Sequence, residues 1–142
     1  MKTNIATDSL QSQRLLRCGV PADTADMMWS RLDETRDHSL YVIPWYTPRL
    51  PNRKITDNDF PAWSLSALLE LLPKEIYEEC TGDSFFFSLA KEFPLSEEYG
   101  TAYIPCWDKG DAIVRKRDNC PIEACVQLIE WLSENGYKLN EI

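Results

Sequence analysis

The 142-residue chain is 44% hydrophobic and 27% charged, a balance suited to one compact globular domain. No stretch approaches the roughly 20 apolar residues of a membrane span, and residues 1–16 hold no apolar run that could act as a secretory signal, so the expected location is the cytoplasm. The net charge of −8 is concentrated in residues 63–100, where 8 acidic side chains face 2 basic ones; this disfavours phosphate backbones and anionic membranes as partners.

Residues 7–21 predict a first helix, with Thr7 or Asp8 accepting from the free N–H groups of the first turn. Gly19 ends it in the left-handed conformation and lets Val20 fold back on Leu15. A second, short helix is expected over 21–32, capped by Asp23, with Met27, Met28 and Trp29 as its buried part. From His38 to Lys54 the chain holds its only histidine and three prolines, and it reads as extended. Residues 56–59 are a turn signal. Ser64 then opens a helix that Pro73 stops, with Trp63 and Leu68 at the positions of a hydrophobic staple. Leu65, Leu68, Leu69 and Leu72 make its apolar face. Three strands are predicted at 84–93, 100–107 and 112–117, with a turn at 108–111. A closing helix over 119–137 places Ile122, Cys125, Val126, Ile129 and Leu132 on one face, and Gly136 ends it.

The resulting fold class is α+β: a three-stranded antiparallel sheet flanked by helices, with an N-terminal helical extension. A single domain over 1–142 is expected, with N-terminal helices in 1–37, an extended proline- and aromatic-rich segment in 38–60, and a helix–strands–helix core in 61–142.

Trp63, Ser64, Leu65, Leu68, Leu69, Leu72 and Pro73 form a W-S-L-x-x-L-L-x-x-L-P string, and Pro121, Ile122, Glu123 and Ala124 form P-I-[DE]-A. In these two motifs, about a third of the chain, the sequence resembles a group of small bacterial proteins of gut Bacteroidetes, their phages and mobile elements. The resemblance implies the helix–strands–helix order. It carries over no activity and no site, and the proline-rich stretch 44–51 lies outside the group's pattern.

The chemistry-bearing residues are few. Cys18, Cys80, Cys106, Cys120 and Cys125 are odd in number, widely spaced and without a CxxC, which argues against a disulfide framework or zinc site. They read as buried small hydrophobes in a reducing compartment. His38 has no cysteine near it in sequence; Cys106 or Cys120 could meet it only through the fold. Asp57 and Asp59 form a D-x-D that a metal could use, but a cap for the following helix explains it more simply. Glu78/Glu79 and Glu97/Glu98 are adjacent acidic pairs expected to face water. No catalytic residue, metal site or cofactor is assigned.

Two surfaces remain. Tyr41, Ile43, Trp45 and Tyr46 can bind a protein partner as an extended, aromatic segment, or pack along the domain. Arg115, Lys116 and Arg117 are the one basic cluster; in a strand the two arginines share a face and Lys116 takes the other. The leading expectation is a non-enzymatic protein–protein interaction module, an accessory protein of a phage or mobile element. The alternative is a nucleic-acid-binding or antitoxin-like regulatory domain acting through 115–117, a reading weakened by the lack of a cation at the start of the last helix.

Overall fold

The computed structural model describes residues 5–30, 37, 39–41, 59–92, 97–105 and 110–141. These residues form an α+β structure of three α-helices and two antiparallel sheets, one of three strands and one of four. The chain divides into two compact units, Met1–Ala67 and Leu68–Ile142.

The first unit opens with helix α1 (Ser9–Arg17). Asp8 caps it reciprocally with Gln11: the Gln11 N–H donates to the Asp8 carboxylate (2.8 Å), and the Asp8 N–H to the Gln11 side chain (2.9 Å). Gly19, at φ +86°, turns the chain out of the helix; its N–H donates to the Leu16 carbonyl (3.0 Å) and that of Val20 to Leu15 (3.2 Å). This is the expected Schellman-type stop, with Leu15 and Val20 both buried.

Strands β1 (Met27–Ser30), β2 (Ser39–Tyr41) and β3 (Phe60–Ala62) follow, in the spatial order β2-β1-β3. Trp29 pairs across to Leu40 on one side and Phe60 on the other, and its ring stacks on Phe60 at 6.2 Å. Met27 and Trp29 share a buried cluster with Ala6 and Ala62. Pro61 sits in β3, an edge strand, where its missing donor costs no ladder bond.

Thr7 ties this unit together. Its N–H donates to the Trp63 carbonyl (2.9 Å), and its hydroxyl accepts from the Trp63 N–H (3.0 Å). That hydroxyl also bonds Ser12 Oγ (2.8 Å), and the Thr7 carbonyl accepts from Trp29 Nε1 (2.8 Å). Trp63 Nε1 is satisfied by Thr24 Oγ1 (2.9 Å). Every one of these polar groups is thus paired in a buried setting, as burial requires.

Helix α2 (Leu65–Leu71) is capped by Ser64, whose hydroxyl accepts from the Ala67 N–H (3.2 Å). Asp26 in turn accepts from both the Ser64 N–H (2.9 Å) and its hydroxyl. The buried side of α2 comprises Ala67, Leu68, Leu71 and Leu72; Leu65 is half-buried and Leu69 exposed. The expected 65/68/69/72 face is therefore rotated, with Leu71 replacing Leu69.

The second unit holds a meander of β4 (Glu75–Glu78), β5 (Asp83–Lys91), β6 (Tyr99–Pro105) and β7 (Val114–Asp118), each paired with the next. Helix α3 (Pro121–Glu134) covers one face, and the Thr101 hydroxyl donates to the Ala124 carbonyl (2.9 Å). The same face of the sheet carries Ile76, Phe85, Tyr103 and Val114, all buried. All five expected α3 positions, Ile122, Cys125, Val126, Ile129 and Leu132, are fully buried. Gly136 (φ +78°) ends α3 by the same stop as α1, with Tyr137 N–H donating to Leu132 O (2.9 Å) and the Tyr137 ring stacked on Trp131 at 5.5 Å. Beyond it, Asn140 donates its backbone N–H to Leu71 O (2.9 Å) and its side-chain amide to Glu70 O and Leu72 O (3.0 and 3.1 Å). The C-terminal tail thereby satisfies the last carbonyls of α2.

Three expectations are corrected. Residues 21–32 are not a helix: a single 3-10 turn at Ala22–Thr24, without a side-chain cap from Asp23, leads into β1. Met27, Met28 and Trp29 are all buried as expected, because a central strand buries consecutive residues on both faces. Residues 60–62, for which no strand is expected, form β3, while the helix starts after Ser64 as expected. The C-terminal sheet has four strands, not three, because 75–78 pairs with β5.

Replacing Thr7 by the isosteric valine removes the hydroxyl that serves Trp63 N–H and Ser12, leaving buried polar groups unpaired. We expect a loss of about 1–3 kcal/mol in urea unfolding, with Thr7→Ser keeping most of the stability. Equal loss in both variants would place the role of Thr7 in its methyl group instead.

Candidate functional site

Of the four aromatic and aliphatic candidates, Tyr41 is described; Ile43, Trp45 and Tyr46 lie outside the described residues. Tyr41 ends β2, an edge strand of the three-stranded sheet, opposite Met28. It is 41% exposed, while Leu40 beside it packs against the buried Trp29 cluster. The strand thus alternates Leu40, on the face of Trp29, with Tyr41, part-exposed at the strand end on the face of the buried Met28, and from that point the sequence enters the aromatic–proline stretch.

The basic candidates sit on β7. Arg115 and Arg117 share one sheet face and Lys116 takes the other, as strand alternation predicts. The structure adds a residue that the sequence did not point to: Glu92. Its carboxylate lies 3.0 Å from Arg117 Nε and 3.6 Å from Arg115 Nη1. Gly100, on β6 between them, makes this possible. A Cβ on Gly100 would stand 2.6 Å from Glu92 Oε1, so a larger residue there would push the carboxylate from this place. One carboxylate shared by two guanidinium groups leaves one positive charge in excess, and the two arginine side chains remain 47% and 53% exposed. No signal in the local sequence links Glu92 to 115–117, since the contact arises from sheet register.

The other candidates are dispersed. His38, Cys106 and Asp57 lie outside the described residues. Asp59 does not cap α2; it accepts from the Ser30 hydroxyl and ties β3 to β1. Among the described residues, no group of three or more His, Cys, Asp or Glu side chains converges to hold a metal. Glu78 is half-buried, and Glu79 is exposed.

The cysteines divide by position. Cys125 is buried in α3, but Cys80, in the hairpin turn between β4 and β5, is exposed, and Cys18 and Cys120 at helix ends are half-buried. The expectation of generally buried thiols is corrected: turn and cap positions face solvent. Burial pushes the Cys125 thiol up to about 12, with the nearby Cys120 adding to the effect. Burial also raises the Tyr103 phenol, and Cys125 contributes in the same direction. The Tyr103 hydroxyl donates to the Pro73 carbonyl at 2.8 Å, a bond only the neutral phenol makes. Tyr137 is raised as well, through burial and then the neighbouring Glu78 and Cys80.

Comparison with known proteins finds no matching family model, no matching curated protein and no matching solved structure. No helix among the described residues is long and apolar enough to cross a membrane.

The raised acids set an alkaline limit on stability. Cys125 and Tyr103 stay neutral in the fold at pH values where the unfolded chain ionises them, so the unfolded state binds fewer protons there. Their contribution is complete below the unfolded thiol range near pH 8.5. It is lost as pH rises toward about 12, where the folded Cys125 thiol ionises. The slope contributed by Cys125 approaches about 1.4 kcal/mol per pH unit, and Tyr103 joins above about pH 10. Denaturant unfolding from pH 8 to pH 11 reads this slope. Tyr103→Phe should flatten it above pH 10, and an identical profile in that variant would remove the phenol from the account.

Proposed function

We propose that this chain is a protein–protein interaction module that engages its partner through the segment beginning at Tyr41 and including Ile43, Trp45 and Tyr46. The observation that carries this reading is the position of Tyr41: solvent-exposed at the end of an edge strand, immediately before the aromatic stretch of the sequence. An edge strand presents main-chain donors and acceptors, and the aromatic side chains that follow it in sequence supply specificity; together they suit recognition by strand addition. Aromatic side chains give such a contact large area at small entropic cost. The likeness of residues 63–73 and 121–124 to proteins of gut Bacteroidetes, their phages and mobile elements supports an accessory role within a mobile element as part of the same proposal.

The basic strand is the weaker reading. Glu92 already occupies both arginines, and a nucleic-acid surface draws its affinity from cations free to meet phosphates.

The test begins with capture of partners on the tagged full-length chain, with and without nuclease. The captured partner is then titrated with Tyr41→Ala and with Trp45→Ala/Tyr46→Ala. The expected outcome is a nuclease-resistant partner whose affinity falls at least about tenfold in both variants, with unchanged circular dichroism and thermal unfolding. Unaltered affinity, or variants that unfold, would overturn the assignment and return the segment to the core. Capture that nuclease abolishes and that falls steeply with salt would transfer the function to Arg115, Lys116 and Arg117.

A further inference from the structure

The four-stranded sheet ends in two edges of opposite charge. On β4 and its flanks stand Lys74, Glu75, Tyr77, Glu78 and Glu79, of which Lys74, Glu75, Tyr77 and Glu79 are exposed, Tyr77 at 56%. On β7 stand Arg115, Lys116, Arg117 and Asp118. Neither outer edge pairs with another strand among the described residues. We propose that β7 of one copy of this chain pairs antiparallel with β4 of a second copy, continuing the sheet from chain to chain.

Three independent features agree on this pairing. The first is direction. The sheet contains four strands, each antiparallel to the next, so β4 and β7 run in opposite senses. A second copy placed beside the first in the same orientation, with like sheet faces together, therefore meets it in an antiparallel ladder.

The second is hydrogen bonding. Lys74 and Glu78 turn their carbonyls inward, accepting from Phe87 (3.0 Å) and Gly82 (2.9 Å). By alternation, Glu75 and Tyr77 direct their backbone groups outward. On the other side the Tyr103 carbonyl points at β7, accepting from Ile113 (3.0 Å), and Tyr103 registers with Val114. Val114, Lys116 and Asp118 are therefore the inward residues, while Arg115 and Arg117 direct their backbone groups outward. Placing Arg115 opposite Tyr77 and Arg117 opposite Glu75 brings outward groups to outward groups.

The third is charge. That same register sets Asp118 against Lys74 and Arg117 against Glu75, each pair of opposite sign. It sets Arg115 on the aromatic Tyr77, and it leaves Glu78 diagonal to Lys116. Cross-strand pairs of this kind favour pairing, whereas like charges directly opposite would oppose it. Charged edges ordinarily keep sheets apart. Here two β4 edges repel and two β7 edges repel, but β4 and β7 do not. Glu92 neutralises one of the two arginines, and Lys116 on the other face has no ion-pair partner among the described residues. The contact is heterologous, so it leaves one free edge of each kind at the ends of an assembly. β4 and β7 belong to a different sheet from Tyr41, and their pairing stands whether or not the segment at Tyr41 binds a partner.

Sedimentation velocity on the full-length chain tests it. The sedimentation coefficient should rise with protein concentration at about 50 mM salt, and association should weaken at least about tenfold toward 500 mM. Arg115→Glu/Lys116→Glu/Arg117→Glu and Glu75→Lys/Glu78→Lys/Glu79→Lys should each be monomeric alone. Mixed in equal amounts they should associate again, because each then offers the other a complementary edge. Hydrogen exchange on the unaltered protein gives a readout that does not depend on the variants folding: the amides of Glu75, Tyr77, Arg115 and Arg117 should gain protection with concentration. A monomer at every concentration, or association that survives both salt and charge reversal, would overturn the proposal.

Discussion

The C-terminal unit depends on β6. It is bonded to β5 on one side and β7 on the other, and three of its residues have distinct tasks. Thr101 holds α3 through the Ala124 carbonyl, and Tyr103 holds the chain just past α2 through the Pro73 carbonyl. Gly100, on the opposite face, leaves the space in which Glu92 reaches two arginines. Both buried hydroxyls are used because an unpaired one at that depth would cost more than the bond returns. The order along the strand therefore fixes helix placement, α2 exit and the charge state of β7 together. A shift of one residue would turn Thr101 and Tyr103 to the face of Arg115.

The first unit relies on a comparable constraint built from less sequence. Residues 6 and 7 bridge to 64 and 63, and Thr7 alone meets Trp63, Ser12 and Trp29. Two tryptophans bring large apolar area, but each also brings an indole N–H that must find an acceptor when buried. Thr7 O and Thr24 Oγ1 supply those acceptors. The polar demands of Trp29 and Trp63 thus set where the N-terminal residues and the 3-10 turn must lie.

The parts of this architecture legible in the sequence are those with local causes. Asp8, Gly19, Ser64 and Gly136 mark helix ends through interactions within a few residues, and each stands where its chemistry predicts. The 3.6-residue period of Ile122–Leu132 and the alternation along β7 are equally local. What failed had a non-local cause. Met27–Trp29 is a strand because 39–41 and 60–62 pair with it on either side, and three consecutive buried apolar residues do not distinguish that from a helix turn. β4 has one buried residue, Ile76, and owes its existence to pairing with β5. Glu92 owes its partners to register, just as Asp26 owes Ser64 to the approach of β1 and β3.

The same non-local effect changes what three consecutive cations mean. In the sequence, Arg115, Lys116 and Arg117 form a basic cluster, the usual footprint of a phosphate-binding surface. In the sheet they are split between two faces, and the pair that shares a face also shares a carboxylate. A polyanion would have to displace Glu92 or be content with the excess charge, within a chain of net charge −8. A neighbouring strand faces no such conflict, because it approaches in the plane of the sheet, where no strand among the described residues pairs with the backbone of Arg115 and Arg117. Diagonal and opposite carboxylates then add to the Glu92 pair without replacing it. Charge arranged along an edge acts on the specificity of strand pairing, whereas charge spread over a face acts on affinity for polyanions, and β7 has the first arrangement.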